Sequence, residues 1–423
     1  MGLVQASAAH AIDLDEAAVE ALVRDAVARA GGFEGLIRGA RTVVLKPNLV
    51  AWKDGTLPEG GGRPLPPEVN GVTTDWRVTR AVARMVRELA PEARITVMEG
   101  AAGDTAINMA RLHYDPEHLP EVDEFVALET ASGAWQDFDA PELVEIEQPE
   151  GLLSATLYLN RQYWEADVLI SLPVLKNHCS AVVTGAVKNV GIGATPANIY
   201  GMSEDRALRM AAIDHTTVEL HWWIHDFYLA RPVDFAVMDG LQGVQNGPNP
   251  SWDLSGATNL ADEQHDLRLV LASADSVALD TVAALVMAWD PETVEHLRAL
   301  GEDDLGEADA GRLAVAGVPV DAVREVFAGE TSLFAFGGAQ VEDFSPPALV
   351  LRSASVQGDR LYLTLDPDDA VRLEVALDST PLGAWPGAAA LQIPVPEDLR
   401  GAAEATVTAY DRFHNRCEAS AGL

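Results

Sequence analysis

The sequence predicts an α/β fold, a mostly parallel sheet with helices on both faces, followed by a small C-terminal β-sandwich. Short apolar runs alternate with amphipathic helical stretches over residues 1–343, the arrangement that feeds a parallel sheet through crossover helices. Polar residues fall just after several of these runs rather than within them. Beyond Pro346-Pro347 the pattern changes to short alternating strands separated by turn residues, which reads as two packed antiparallel sheets over residues 344–423.

The elements follow in order. Asp13 opens an amphipathic helix that runs to about residue 30 and stops at Gly31-Gly32. Residues 42–45 form an apolar strand leading into Lys46-Pro47-Asn48, where the proline keeps its predecessor out of helical geometry. Residues 54–71 are rich in Gly and Pro and read as a long loop, a class that often supplies lids. Asp75 is placed to cap a helix to about residue 89, and 94–98 is a strand ending at Glu99-Gly100. Another helix begins near Asp104, while 115–150 is acidic and shows no clear period. Strands are expected at 152–159 and 167–172, the second closed by Pro173, and helices at 203–212 and 215–229. Strands at 233–238 and 267–272 follow, and Asp275 caps a helix over 277–288. Two smaller helices and a strand at 313–315 end the first domain. In the second, 348–351, 361–364, 373–376 and 405–410 are strands, with turns at Gly358-Asp359 and Asp366-Pro367. An immunoglobulin-like or fibronectin-like domain is expected there, and it is a candidate surface for a protein partner or self-association.

Composition bounds the function. The chain has 423 residues, 48% of them hydrophobic, enough for a core without covalent staples. Its net charge of −36 repels nucleic-acid phosphates and anionic membranes at long range. Neither is an expected partner. No continuous apolar run approaches the roughly 18–20 residues of a membrane span. The N-terminus lacks the basic-then-apolar order of a secretion signal, so a cytoplasmic location is expected. Cys179 and Cys417 are the two cysteines, too few for a disulfide framework or an intrinsic four-cysteine iron–sulfur cluster.

Arginine outnumbers lysine 25 to 4. Lysine carries a compact charge whose pKa falls on burial, which arginine cannot match. Lys46, Lys53, Lys176 and Lys188 therefore mark candidate places for an amine rather than any cation, and three of them stand in strand-end or glycine-flanked contexts. If the strands are parallel, five polar strand ends share one edge: Lys46 with Asn48, Glu99, Lys176 with His178, Asp239, and Ser273 with Asp275. Ligands bind open α/β sheets at that edge. Asp275 reads as a helix cap. Lys46, Lys176 and His178 read as functional, because the helix dipole disfavours cations at helix starts.

The densest cluster runs from Lys176-Asn177-His178 to Lys188-Asn189 and on to Gly191. Lys176, His178, Lys188 and Asp239 are the candidate catalytic residues. Lys46, Asn48, Glu99, Asn189, Gly191 and Asp280 are the candidate substrate contacts. Two ammonium groups, an imidazole and amide donors suit a small carboxylate or phosphate. His178 can transfer protons near neutral pH, and a lysine desolvated beside another cation can act as base or nucleophile. Structural ion pairs between the lysines and Glu99, Asp239 or Asp280 are the bland alternative. His215, His221 and His225 fall on a predicted helix, the last two four residues apart, a spacing that can place a metal on one face.

These motifs resemble a known family. Pro173-Val174-Leu175-Lys176-Asn177-His178, Thr184-Gly185-Ala186-Val187-Lys188-Asn189, Val237-Met238-Asp239-Gly240 with Asn246-Gly247-Pro248, and the stretch from Leu271 to Asp280 occur in the order and spacing of domain of unknown function 362 (DUF362). Lys46-Pro47-Asn48, Asp75, Glu99-Gly100, His215 and Asp226 fit the same pattern, so the resemblance covers roughly residues 40–320. Many such proteins look like iron–sulfur proteins with a Cys-x-x-Cys segment, which this chain lacks. At fold level the resemblance extends to the nickel-pincer lactate racemase type, without its spaced histidines.

Three functions are open from sequence. The first is an enzyme using lysine and histidine acid–base chemistry on a small anion. The second is a metal- or iron–sulfur-linked oxidoreductase or redox accessory protein. The third is a non-catalytic ligand-binding or scaffold protein.

Overall fold

Side chains alternate across a strand, and here that alternation builds two cores. Val43, Leu45, Ile95, Val97, Val168, Ile170 and Val237 join one apolar cluster, while Val44, Met98, Leu169, Ala236 and Met238 join the other. A sheet buried on both faces needs helices on both. The computed structural model describes residues 1–50, 59–60, 63–64, 70–128, 135–201, 212–248, 263–329 and 338–423. Lys53, most of the loop expected at 54–71 and nearly all of the helix expected at 203–212 lie outside the described residues.

The elements that position the site are β1 (Gly2–Gln5), α1 (Glu16–Arg29), β2 (Thr42–Pro47), α2 (Trp76–Leu89), β3 (Arg94–Glu99), α3 (Thr105–Arg111), β4 (Glu124–Ala127), β5 (Val168–Leu172) and β6 (Val174–His178). They continue with α4 (Gly185–Gly191), α5 (Glu219–Ala230), β7 (Phe235–Val244), β8 (Leu269–Ser273), α6 (Ser276–Val286), α7 (Glu295–Glu302) and β9 (Ala316–Gly317). The sheet order is β9-β1-β8-β7-β5-β2-β3-β4. β7, β5, β2, β3 and β4 run parallel. Helices α1 and α2 cover one face, and α4, α5, α6 and α7 the other.

The strand expected at 313–315 is displaced to Ala316–Gly317, and five further departures bear on the sheet and the site. β8 runs antiparallel to both β7 and β1, so Ser273 and Asp275 stand at the amino edge of the parallel strands. Four strand ends, not five, share the carboxyl edge. A fully buried apolar run reads the same in either direction, which hides its polarity in sequence. Second, the chain enters the sheet through the short strand β1, which carries no turn signal before it. Third, the strand ending at Leu172 resumes after Pro173 as β6. Asp239 donates its backbone N–H to the Pro173 carbonyl at 2.8 Å, and β7 is long enough to pair first with β5 and then with β6. Fourth, the aperiodic stretch contains β4 and the strand Leu143–Glu147, which pairs with Thr156–Asn160, a shorter form of the strand expected at 152–159. Fifth, α5 starts at Glu219, so His215 precedes it. The Asp214 carboxylate accepts from the Thr216 N–H and hydroxyl, a local turn that competes with helix.

Beyond Pro347, Val350–Gln357, Arg360–Asp366 and Ala390–Pro394 form a three-stranded antiparallel sheet. Thr380–Pro386, Arg372–Leu377, Glu404–Tyr410 and Arg416–Gly422 form a four-stranded one. The two share an apolar core that includes Leu361, Leu363, Leu373, Val375 and Val407. Polar groups join them to the α/β part: Arg324 donates to Asn415 Oδ1 at 2.7 Å, and the His414 ring bonds the Ala310 carbonyl at 2.7 Å. Among the described residues no helix is long and apolar enough to cross a membrane.

Candidate functional site

Strand β6 decides how the lysine segment begins. Its period of two puts Lys176 and His178 on one face and Asn177 on the other. Asn177 is used structurally: its Nδ2 donates to the Ala328 carbonyl at 2.8 Å and its Oδ1 accepts from Gly247 N at 2.9 Å. The chain then turns through Ser180 and Val183 into α4, which carries Lys188 and Asn189. Gly185 starts this helix at φ +55°, and a Cβ there would lie 2.2 Å from the Asp280 carboxylate. That close approach is the reason for glycine. Asp280 accepts from the N–H groups of Ala186 at 2.6 Å and Val187 at 2.9 Å. It caps α4 from outside the helix, satisfying two donors that would otherwise be orphaned.

One hydrogen-bonded network links the ends of β2, β3, β6 and α4. The Lys46 ammonium forms an ion pair with Glu99 and donates to the Pro47 carbonyl at 2.8 Å and Asn189 Oδ1 at 3.2 Å. Asn189 returns its Nδ2 to the Lys46 carbonyl at 2.8 Å and to Ser171 Oγ at 3.1 Å. Asn48 bridges the two lysines. Its Nδ2 donates to Asn189 Oδ1 at 3.2 Å, and its Oδ1 accepts from Lys176 Nζ at 3.1 Å. Lys176 also donates to the Val72 carbonyl at 2.5 Å. Lys46 is 0% exposed and Lys176 1%, which is far from the usual surface placement of lysine.

The electrostatics follow from that burial. Burial pushes the Lys176 amine well below the ordinary lysine range; the charges of Lys188 and Lys46 push the same way, and Glu99 opposes them. A neutral amine has two hydrogens, and Lys176 has two acceptors, so deprotonation leaves its lone pair uncommitted. His178 is held well below the usual imidazole range by burial first, then by Lys188, His215, Lys176 and His221. Its Nδ1 faces the backbone N–H groups of Ser180 at 3.0 Å and Ala181 at 3.2 Å. That arrangement assigns the neutral ring's proton to Nε2. His178 is thereby set as a donor. Lys188, buried on α4, is a source of positive potential for Lys176, His178, His221 and His296 alike.

The other candidates lie elsewhere. Asp239 accepts from the backbone N–H groups of Asp75 at 2.8 Å and Leu241 at 2.9 Å, so it anchors the start of α2. Burial and the neighbouring Asp75 raise its pKa to about 7. Burial likewise raises Asp280 to about 7, against the two hydrogen bonds from α4. Gly191 faces α5, where a Cβ would stand 3.0 Å from the Ile224 carbonyl; its smallness serves helix packing. Gly193 is the glycine beside the network, with a Cβ position 2.9 Å from Lys46 Nζ.

The three candidate metal histidines do not converge. His215 stands beside His178, ring centroids 6.1 Å apart. His221 Nε2 bonds the Ser180 carbonyl at 3.2 Å and its Nδ1 meets His296 Nδ1 at 2.9 Å. His225 lies between Asp226 and Asp303, each at 3.0 Å, and Asp226 in turn accepts from the N–H groups of Leu152, Leu153 and Ser154. These wrapped amides are why the expected strand at 152–159 begins only at Thr156. Cys179 and Cys417 are both free. Sequence reasoning missed Ser171, His296 and the Val72 carbonyl, which have no motif of their own. Nor does it single out His113, Asp115 and His118, whose His-x-Asp-x-x-His spacing straddles the start of the aperiodic stretch at 115–150. A cavity of about 280 Å³ lined by Thr42, Val43, Val44, Arg94, Thr96 and Gln162 opens at the opposite, amino edge of the sheet.

A family profile described as "Domain of unknown function (DUF362)" matches residues 43–285, the span from β2 through almost all of α6. Among solved structures, the lactate racemase apoprotein from Thermoanaerobacterium thermosaccharolyticum is similar at 14% identity with a TM-score of 0.36, over 64% of this chain and 55% of that one. This chain therefore spans little more than half of that structure's length. The spore cortex lytic enzyme SleM of Clostridium perfringens is similar at 17% identity with a TM-score of 0.15, over 18% of this chain and 28% of that one. No curated protein matches the chain.

Proposed function

We propose, for a chain that belongs to the family described as domain of unknown function DUF362, that the buried lysine cluster binds a small carboxylate or phosphate and that Lys176 acts on it as an uncharged amine. The observation that carries this reading is the bonding of Lys176. It is buried, bonded to Asn48 and Val72, and surrounded by cations that discourage its own charge. A group that deprotonates this readily is poised as a base or nucleophile. A purely structural lysine would hold its charge against a carboxylate, as Lys46 does against Glu99.

The roles divide by charge. Lys188 supplies positive potential for the anion, and His178 contributes an Nε2 donor. Lys46, Glu99, Asn189 and Asn48 form a rigid frame that positions Lys176. Asp239, with both oxygens on backbone amides, has a positioning role at the start of α2. Such a site is pre-organised in the sense that its polar groups are already oriented before a ligand arrives.

A thermal-shift panel of carboxylates, 2-oxo acids and phosphates, run on the full chain at matched ionic strength, tests the proposal. At least one class raises Tm, and Lys188→Met removes that rise. A wild-type chain that no member stabilises beyond the salt control, or a Lys188→Met chain stabilised equally, overturns it.

A further inference from the structure

Three side chains that are not part of the lysine frame meet on the loop after α3. One ligand-capable atom from each of His113, Asp115 and His118 lies within 4.8 Å of the other two, and all three residues are half-buried. Metal bonds of about 2.0–2.1 Å would draw such atoms to about 3.4 Å apart, an adjustment within reach of small rotamer changes.

The loop holds these groups in place. Leu112 closes α3, and Tyr114 N donates back to the Met109 carbonyl at 2.9 Å. This is the six-to-one bond of a Schellman ending, and His113 occupies its left-handed position at φ +62°. Glycine takes that conformation without strain, whereas a side chain there costs stability. The chain nonetheless keeps a histidine. Tyr114 pins the loop from below, donating to the Thr74 carbonyl at 3.0 Å while bonded to Thr79 Oγ1 at 2.8 Å. Asp115 accepts from the N–H groups of Glu117 at 2.9 Å and His118 at 3.0 Å and from His118 Nδ1 at 3.0 Å. An ion bound here would take the place of the proton between His118 Nδ1 and Asp115, so that the imidazole and the carboxylate each become a ligand.

Trp76 closes the side of the group. Its ring stands edge-on to His113 at 6.3 Å and His118 at 5.1 Å, and the two imidazoles are 4.3 Å apart. The indole N–H is buried and has no hydrogen-bond partner among the described residues. A donor left over beside two imidazoles would suit an oxygen ligand on a bound ion.

We propose that His113, Asp115 and His118 form a binding site for a divalent first-row transition ion, with positions left for water or an anionic ligand. Two imidazoles and one carboxylate are a borderline donor set, favouring zinc(II) and its neighbours over magnesium or calcium. The site uses none of the residues assigned to the Lys176 network and does not depend on the reading proposed for it.

Zinc(II) titrated into the chelator-treated full chain, followed by calorimetry and thermal melting, is the test. The wild type binds zinc and melts higher with it. His118→Ala and His113→Gly lose the zinc-dependent rise, and Asp115→Asn, which removes the one anionic ligand, reduces it. His113→Gly melts higher than the wild type without zinc, because glycine relieves the left-handed strain, so its lost response cannot be ascribed to unfolding. Zinc binding that is undiminished in His113→Gly and His118→Ala, or a wild type that zinc does not stabilise, overturns the proposal.

Discussion

At Lys176 two effects compete: burial favours the neutral amine, and Glu99 favours the charged one. Burial wins, helped by Lys188 and Lys46. The consequence for stability has a definite sign. Between its folded pKa and the unfolded value near 10.4, the unfolded chain binds a proton that the folded chain refuses. Stability therefore climbs as pH rises through this window, by at most about 1.4 kcal/mol per pH unit from this group. Lys176→Met should flatten that climb between about pH 8 and 10, measured by urea unfolding at several pH values. An unchanged slope would show that Lys176 keeps its charge in the fold. Gly185 offers a second residue-scale test. Gly185→Ala meets both the left-handed backbone and the Asp280 carboxylate, and should lower unfolding stability by about 2 kcal/mol or more.

Roles at this scale were only partly legible in sequence. The scarcity of lysine pointed to Lys46, Lys176 and Lys188, and all three are buried. Nothing in sequence separates a strand-end acid that faces a ligand from one that binds backbone amides. Glu99 pairs with Lys46, whereas Asp239 and Asp280 are bonded to N–H groups. The distinction depends on where the neighbouring backbone ends up.

At the scale of elements, α4 is a seven-residue helix whose orientation decides where Lys188 and Asn189 point. So short a helix has little stability of its own, and Asp280 on α6 supplies its cap. Asp280→Ala leaves two buried N–H groups without acceptors, at a cost of about 2–4 kcal/mol. Amide exchange at Ala186 and Val187 should accelerate more than the global loss of stability accounts for. Exchange that tracks only global stability would mean that α4 is held by packing alone. The parallel strands β2, β3, β5 and β7 were legible because continuous apolar runs with polar ends have few other uses. β6 was not, since Pro173 interrupts the run and the following residues alternate polar with apolar. The reversal of β8 was not legible either, because its direction depends on pairing rather than on pattern.

Over the whole molecule, a net charge of −36 surrounds a buried patch with three lysines. The outer field repels anions at long range, while the local cluster attracts them at contact. Added inert salt screens the first more than the second. Anion binding should therefore weaken less with ionic strength than binding at an exposed basic patch, as a titration over a range of sodium chloride concentrations would show. A steep loss of affinity would place the anion on the surface instead. The C-terminal sheets were predicted from alternation and turn residues, yet their junction through Arg324, Asn415 and His414 was not, because contacts between distant segments leave no local pattern.

The most direct measurement is the melting temperature of the wild type and of Lys188→Met with a saturating small carboxylate or phosphate. A ligand at a hundredfold its Kd stabilises the folded chain by about 2.7 kcal/mol, which in a chain of this size is a rise of several degrees. The wild type should show that rise and Lys188→Met should not. An equal rise in both, or none in the wild type with any anion of the panel, would contradict an anion site built on the buried lysines.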